Sequence, residues 1–205
     1  MQTPLSALPM ELSWRVPPLS CRSDDSACLT VVTAGGTDLF CDPGGGEPAL
    51  SAPRLLGSPP DGDFQLAARV TVGFAGTFDA GVLLVWVDER TWAKLCFERS
   101  PQGPAMVVSV VTRGVSDDAN GFTVPGSGAA DGRLWLRVSR HSPAWAFHAS
   151  TDGRYWRLVR YFSLPEGAPV LVGFEAQSPM GGGCEVTFDQ IRFTPHRLAD
   201  LRDGS

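Results

Sequence analysis

The sequence predicts an all-β fold, a two-sheet antiparallel sandwich or barrel in one domain, and three observations carry that reading. The 23 glycines and 17 prolines of the 205-residue chain break it at short intervals. Between the breaks lie segments rich in Val, Leu, Phe and Trp, the composition of strands. No segment keeps a long helical period, and about ten strand-like runs recur every 8–12 residues or so, the rhythm of sandwiches and barrels.

In chain order the runs are LTVVTA from Leu29, DFQLAARVTV from Asp63, AGVLLVWVD from Ala80, WAKLCFER from Trp92 and AMVVSVVTR from Ala105. RLWLRVSR from Arg133, AWAFHAS from Ala144, YWRLVRYFSL from Tyr155, PVLVGFEAQS from Pro169 and CEVTFDQIRF from Cys184 complete the set. Asp152-Gly153 is a favoured two-residue hairpin turn, and Pro143 stands between two runs where no ladder donor is needed. FCDPGGGEPALSAPRLLGSPPDGD and NGFTVPGSGAADG read as loops. One domain spans 1–205, with its core over about 12–195 and a frayed tail over 196–205.

Composition narrows the partners. The formal charge is -5 and the pI about 5.1, so no basic surplus points to nucleic acid or to an anionic membrane. The amino-terminal residues have no Lys or Arg ahead of an apolar stretch, and Pro4 and Pro9 interrupt them, which argues against a secretory signal. No run of about 18 apolar residues supplies a spanning helix. A cytoplasmic location is therefore expected. Cys21, Cys28, Cys41, Cys96 and Cys184 are odd in number and contain no Cys-x-x-Cys pair, so neither a disulfide framework nor a zinc ribbon is indicated. Cys96 and Cys184 fall in strand runs and read as small buried hydrophobes.

Strand parity sorts the remaining polar residues. Trp92, Lys94, Cys96 and Glu98 share one face of their run; Arg113 shares a face with Val111, and Arg160 lies beside Trp156. His148, Glu175 and Gln177 are further polar groups among apolar neighbours. One explanation is the wet outer face of an antiparallel sheet. The other is a concave face lined by Lys94, Glu98, Arg113, His148, Arg160, Glu175 and Gln177, suited to a polyhydroxylated ligand: carboxylates, amides and guanidinium groups bond hydroxyls while an indole packs on a sugar ring.

Catalytic patterns are sparse. The Glu-x-Asp-x-x-Glu strand of jelly-roll glucanases does not occur, leaving Glu98 and Glu175 on neighbouring strands as the one carboxyl pair to consider. No Gly-x-Ser-x-Gly elbow serves His141, His148 or His196, and PGSGA reads as a flexible loop. Asp117, Asp118 and Asn120 depart from the spacing of a calcium loop and are explained by a polar turn. Of the six tryptophans, most fill the core, and Trp92 is the first choice for a stacking platform.

The segments DAGVLLVWVDERTWAKLCFE, SVVTRGVSD, LWLRVSR, ASTDGRYWRLVR, VGFEAQSP and CEVTF, with Trp14 and the TDLF of Thr37 to Phe40, together resemble the regulation-of-enolase-like domain family. The resemblance runs from about Trp14 to Phe193. It implies a concanavalin A-like jelly roll of two curved antiparallel sheets, a concave face that holds carbohydrate in related folds, and largely unknown function. Some similar proteins are linked to sugar-catabolism gene sets or, in yeast, to control of enolase. By position the family motifs fall on Trp92, Lys94, Glu98, Thr112, Arg113, Ser116, Asp117, Ser150, Asp152, Gly153, Arg160, Ser178 and Pro179. The family commonly follows Ser-Asp with Trp, where this chain has Asp118, so no aromatic wall is expected at that loop.

The sequence thus leads to an all-β, two-sheet antiparallel jelly roll of concanavalin A-like type. It is expected to bind a carbohydrate or small polar ligand without catalysis and without cofactor or metal. Trp92 would be the platform, Lys94, Arg113 and Arg160 the donors, Glu98, Glu175 and Gln177 the acceptors, and Thr112, Ser116 and Asp117 the groove edge, with His148 on the same face. Four cationic groups make acidic sugars candidates. Two alternatives stand beside this: a protein-interaction module regulating a metabolic enzyme, and a glycan hydrolase or lyase acting through Glu98 or Glu175.

Overall fold

The computed structural model describes residues 5–24, 27–124, 132–165 and 167–205. Among them there are sixteen strands and no helix, hence no helix long and apolar enough to cross a membrane. The strands are β1 (Ser13–Val16), β2 (Ser20–Asp24), β3 (Cys28–Ala34), β4 (Leu39–Phe40), β5 (Ala49–Leu50), β6 (Arg54–Gly57), β7 (Phe64–Val72) and β8 (Ala80–Asp88). They continue with β9 (Thr91–Arg99), β10 (Ala105–Arg113), β11 (Val115–Thr123), β12 (Arg133–His141), β13 (Ala144–Ser150), β14 (Arg157–Ser163), β15 (Leu171–Gln177) and β16 (Gly183–Thr194).

Two seven-stranded antiparallel sheets pack face to face. Sheet I runs β1-β6-β15-β8-β9-β10-β11 and sheet II runs β14-β13-β12-β7-β16-β3-β2; β4 and β5 form a separate two-stranded ribbon. Between the sheets the alternate residues of each strand interdigitate: Leu83, Leu95, Phe97 and Phe174 from sheet I meet Leu66, Val70, Leu136, Phe147 and Phe188 from sheet II. The Phe174 and Phe188 rings lie 5.0 Å apart, centroid to centroid.

Four expectations are corrected. Arg54–Gly57 lies within a stretch read as loop, yet forms β6, all four residues buried, because pairing with β1 on one side and β15 on the other outweighs its Gly- and Pro-rich flanks. Asp118, Ala119 and Asn120, read as a solvated turn, belong to β11; polar residues on an edge strand blunt the edge rather than break the strand. Asp152-Gly153 is no two-residue hairpin, since residues 151–156 all lie between β13 and β14; the Asp152 carboxylate instead accepts the Arg154 and Tyr155 amides. Residues 196–205 are not a frayed tail but fold back across the outer face of sheet II, burying Leu198. The PGSGA segment, at 125–129, lies outside the described residues.

Gly81 shows how closely the sheets approach. A Cβ there would lie 2.5 Å from Val70 Cγ1 and 2.6 Å from Val186 Cγ1, on the opposing sheet. Gly81→Ala is expected to cost about 1–3 kcal/mol by overpacking, read as a lowered denaturant midpoint at unchanged m-value.

Candidate functional site

Register places a band of polar groups on the face of sheet I turned away from the core. One row across the strands reads Arg54, Glu175, Val82, Cys96, Val108. The next reads Gln177, Ala80, Glu98, Met106, and on the other side Gly173, Leu84, Lys94, Val110, Asp118. On the strands that carry them, even numbers on β9 and β10 and odd numbers on β15 share this face, as the period of two requires.

A flap formed by residues 37–53, including the β4–β5 ribbon, covers much of this face, and two buried cations fasten it. Lys94 is 2% exposed; its ammonium donates to Leu39 O at 2.7 Å and Gln177 Oε1 at 2.8 Å and lies 3.7 Å from Asp38 Oδ1. Arg54 is also buried and donates from Nη1 to Leu50 O and Ala52 O, with its guanidinium 4.6 Å from the Trp86 ring centroid. Glu175 lies opposite Arg54 in the ladder, is 1% exposed, and has no hydrogen-bond partner on either carboxyl oxygen among the described residues.

The flap leaves a cavity of about 200 Å³ at its Asp38–Phe40 end. Lys94, Glu98, Gln177, Asp38 and Asp118 supply its polar walls, and Phe40, Phe78, Val108, Val110 and Pro179 its apolar ones. The electrostatics follow from burial. Burial alone would lower the Lys94 pKa, but the negative field of Glu175, Asp38 and Glu98 outweighs it, so Lys94 stays charged above the ordinary lysine range. Burial pushes Glu98 up to about 7 against the pull of Lys94, with Asp38, Asp118 and Glu175 adding repulsion. Glu175 also rises to about 7, through burial first and then Asp38, opposed by Lys94 and Arg54.

Lys94, Glu98 and Gln177 are therefore brought together as the sequence reading requires, and Glu175 lies beside them under the flap. The other candidates are placed elsewhere. Trp92 is fully buried and offers no stacking platform, because strand parity identifies the outer face but not whether a flap covers it. Thr112 and Ser116 share a hydroxyl–hydroxyl hydrogen bond of 2.9 Å, and Ser116 Oγ accepts the Cys41 amide, so both pin the flap rather than edge a groove.

Arg113, Asp117 and Arg160 do not point into a shared groove. Arg113 and Asp117 have the parity of core-facing Val111, to which Asp117 is paired, and Arg160 is paired with core-facing Phe147. At the open side of the sandwich they reach the opposite sheet: Arg160 bonds Asp117 Oδ2 at 2.7 Å and Asp117 O at 3.1 Å, and Arg113 bonds Ser163 O at 3.1 Å. They clasp β10 and β11 to β14. His148 is on the outer face of sheet II, with Nε2 2.9 Å from Leu201 O. Glu98 and Glu175 are not on neighbouring strands either, since β8 lies between them. Glu98 lines the cavity whereas both oxygens of Glu175 are sealed from it.

Sequence reasoning missed Asp38, Phe40, Phe78 and Asp118. Asp38 and Phe40 sit in the TDLF segment, which entered the sequence reading only through the family resemblance. Phe78 is held by a buried knot: Asp79 accepts the Ala75 and Gly76 amides and the Ser178 hydroxyl, the last at 2.6 Å, which also positions the neighbouring Pro179. Asp117 and Asp118, as successive strand residues, face opposite sides and do not converge on an ion; among the described residues no His/Cys/Asp/Glu group has the arrangement of a metal site.

Comparison with known proteins agrees with this architecture. A family described as Protein of unknown function (DUF1349) matches residues 14–196. The chain belongs to this family. It is 34% identical over 152 residues to Regulation of enolase protein 1 of Saccharomyces cerevisiae, covering 74% of each chain. A crystal structure of a functionally unknown protein from Saccharomyces cerevisiae superposes with a TM-score of 0.79 at 29% identity, over 90% of this chain and 96% of that one. A GH43 glycoside hydrolase, engineered to display endo-xylanase and exo-arabinofuranosidase activity, superposes with a TM-score of 0.71 at 17% identity, over 94% of this chain and 41% of that one. That likeness is one of fold: the chain is an all-β, two-sheet antiparallel jelly-roll sandwich.

Two predictions follow from the site and its rim. The folded chain holds protons on Glu98 and Glu175 up to about 7, whereas the unfolded chain releases them near 4.3. Their contribution is therefore fully present at low pH, falls as pH rises between these values and stays lost above. Glu98→Gln and Glu175→Gln should each stabilise the fold at pH 8 by on the order of 1–3 kcal/mol, a gain that vanishes near pH 4 in urea titrations. At the clasp, where the Asp117 side chain is 62% exposed, a double-mutant cycle of Asp117→Asn with Arg160→Met should return a coupling of about 0.2–1 kcal/mol.

Proposed function

We propose that the protein binds a single-ring, polyhydroxylated ligand in the cavity between the flap and sheet I, without catalysing its conversion. The observation that carries this reading is the lining itself: Lys94, Glu98, Gln177, Asp38 and Asp118 converge on one space between Phe40 and Phe78. Mixed donors and acceptors bond hydroxyls in several directions, and the aromatic residues supply the apolar surface that Trp92 does not. A volume of about 200 Å³ is below the roughly 300 Å³ at which drug-sized pockets begin, which favours one ring over a chain of them.

Charge refines the ligand class. Of the four cationic groups expected on the face, only Lys94 lines the cavity, against the carboxyls of Asp38, Glu98 and Asp118. That balance disfavours an acidic sugar and favours a neutral or amine-bearing one. A cytoplasmic setting accompanies this reading, since all five cysteines are unpaired, as in a reducing compartment.

A second reading, a module that regulates a metabolic enzyme, is supported by the 34% identity to the yeast protein named for regulation of enolase. The hydrolase reading is weakened by the placement of Glu98 and Glu175, which do not open on a common space.

A thermal-shift series with glucosamine, glucose and glucuronate separates these. Ligand at about ten times its Kd stabilises by about 1.4 kcal/mol, roughly 3–6 °C for a chain of this size. Glucosamine should shift most, and the shift should disappear in Glu98→Gln. If no sugar gives a shift that depends on Glu98, and the chain instead captures purified enolase at one-to-one stoichiometry, the second reading replaces the first.

A further inference from the structure

The outer face of sheet II holds a buried cation with no counter-charge among the described residues. Arg137 of β12 is paired with His148 of β13; both side chains point away from the core, between inward-facing Leu136, Val138, Phe147 and Ala149. Arg137 is 6% exposed and His148 is fully buried, the cover being segment 198–205. Among the described residues no carboxylate lies within ion-pair distance of Arg137. Burial lowers its pKa to about 10, with no carboxylate opposing. Buried charges are ordinarily paired, because an unpaired one forfeits its hydration without return.

The geometry of the guanidinium shows what is missing. Its Cζ lies over the Trp156 ring, 4.1 Å from the centroid. On the Nε/Nη2 edge, Nη2 donates to Gly204 O at 2.6 Å, while Nε is buried and has no acceptor among the described residues. One carbonyl thus satisfies half of a fork whose natural complement is a carboxylate, accepting both N–H groups side by side. Two further buried polar atoms nearby, Ser139 Oγ and His148 Nδ1, also have no partner among the described residues. Ser139 follows Arg137 on the same strand face.

The cover reaches the two buried groups through backbone carbonyls and one close-fitting glycine. Gly204 fills a notch: a Cβ there would lie 2.7 Å from Trp156 Cβ and 2.8 Å from Arg137 Nη2, and its φ of +78° favours glycine. The segment meets Arg137 and His148 through the carbonyls of Gly204 and Leu201, while its carboxylates Asp200 and Asp203 turn to its own amides. Beside it a recess of about 370 Å³ runs between Gln65, residues 196–199 and Ser205.

We propose that Arg137, His148 and Trp156 form a second ligand site, for a small carboxylate, which segment 198–205 closes as a displaceable strap. The carboxylate takes the Nε/Nη2 edge of Arg137 in place of Gly204 O. With Leu201 O displaced, His148 Nε2 and Ser139 Oγ become available to a neighbouring hydroxyl, which makes a hydroxy acid the best-matched class. The site is on the opposite sheet from the flap cavity and does not depend on it.

Sodium glycolate is the probe, with glycolamide as its neutral counterpart. Gly204→Val, which cannot occupy the notch, removes the competition of the strap and should bind glycolate at least tenfold more tightly than the unmodified chain by calorimetry. Adding Arg137→Met should abolish that binding, glycolamide should not bind, and Glu98→Gln should leave the glycolate affinity as it is. In the unmodified chain, saturating glycolate should speed hydrogen exchange at the Ala199 and Gly204 amides, which donate to Ser205 O and Asp200 O. Either response, if charge-selective and dependent on Arg137, supports the site. The absence of both, or binding indifferent to Arg137 or equal for glycolamide, overturns it.

Discussion

The Lys94 ammonium is 2% exposed, and a charge that far from water persists only if its hydrogen bonds and its field are both compensated. Leu39 O and Gln177 Oε1 meet the first need; Asp38, Glu98 and Glu175 meet the second. Much else on sheet I follows from this. Because one acceptor is a flap carbonyl, fixing the charge also fixes the flap, and Arg54 repeats the device at Leu50 and Ala52. Because burial strips both carboxyls of water and Asp38 adds repulsion, Glu98 and Glu175 are pushed up to about 7 despite the nearby Lys94. The cavity is the space this charged framework leaves under the flap.

Both sheets have their outer faces covered by the chain itself. The flap 37–53 lies on sheet I and segment 196–205 on sheet II, so buried polar groups occur on either side of the sandwich. Coverage shows in the strands: β8, β9 and β10 are buried almost without interruption, whereas β7 alternates buried and half-buried residues along its length. An antiparallel sheet with one wet face would alternate throughout. Where a cover ends, at Asp38–Phe40 on one face and around Gly204 on the other, polar side chains meet space or a replaceable carbonyl.

Much of the fold was legible because its signals are local. Period-two runs such as RLWLRVSR and CEVTFDQIRF need only the alternation of side chains to be read as strands, and β12 and β16 contain them. β6 and β11 were not legible: Arg54–Gly57 is a strand through its two neighbours, and Val115–Thr123 is polar because it forms an edge. In the site, parity correctly put Lys94, Glu98, Glu175 and Gln177 on one face. It could not report that β8 separates the two glutamates, or that Trp92 on the same face is sealed.

The sequence by itself determined most of the strand content, the alternation within each run and the outward parity of Lys94, Glu98, Glu175 and Gln177. Those are properties of one strand at a time. Tertiary structure alone decided which polar side chains share a space: Arg113, Asp117 and Arg160 became an edge clasp, His148 went under a strap on the other sheet, and Asp38 and Asp118 entered the cavity. Strand order across a sheet and the path of a covering segment depend on pairings between residues far apart in the chain, and a period of two carries no information about them.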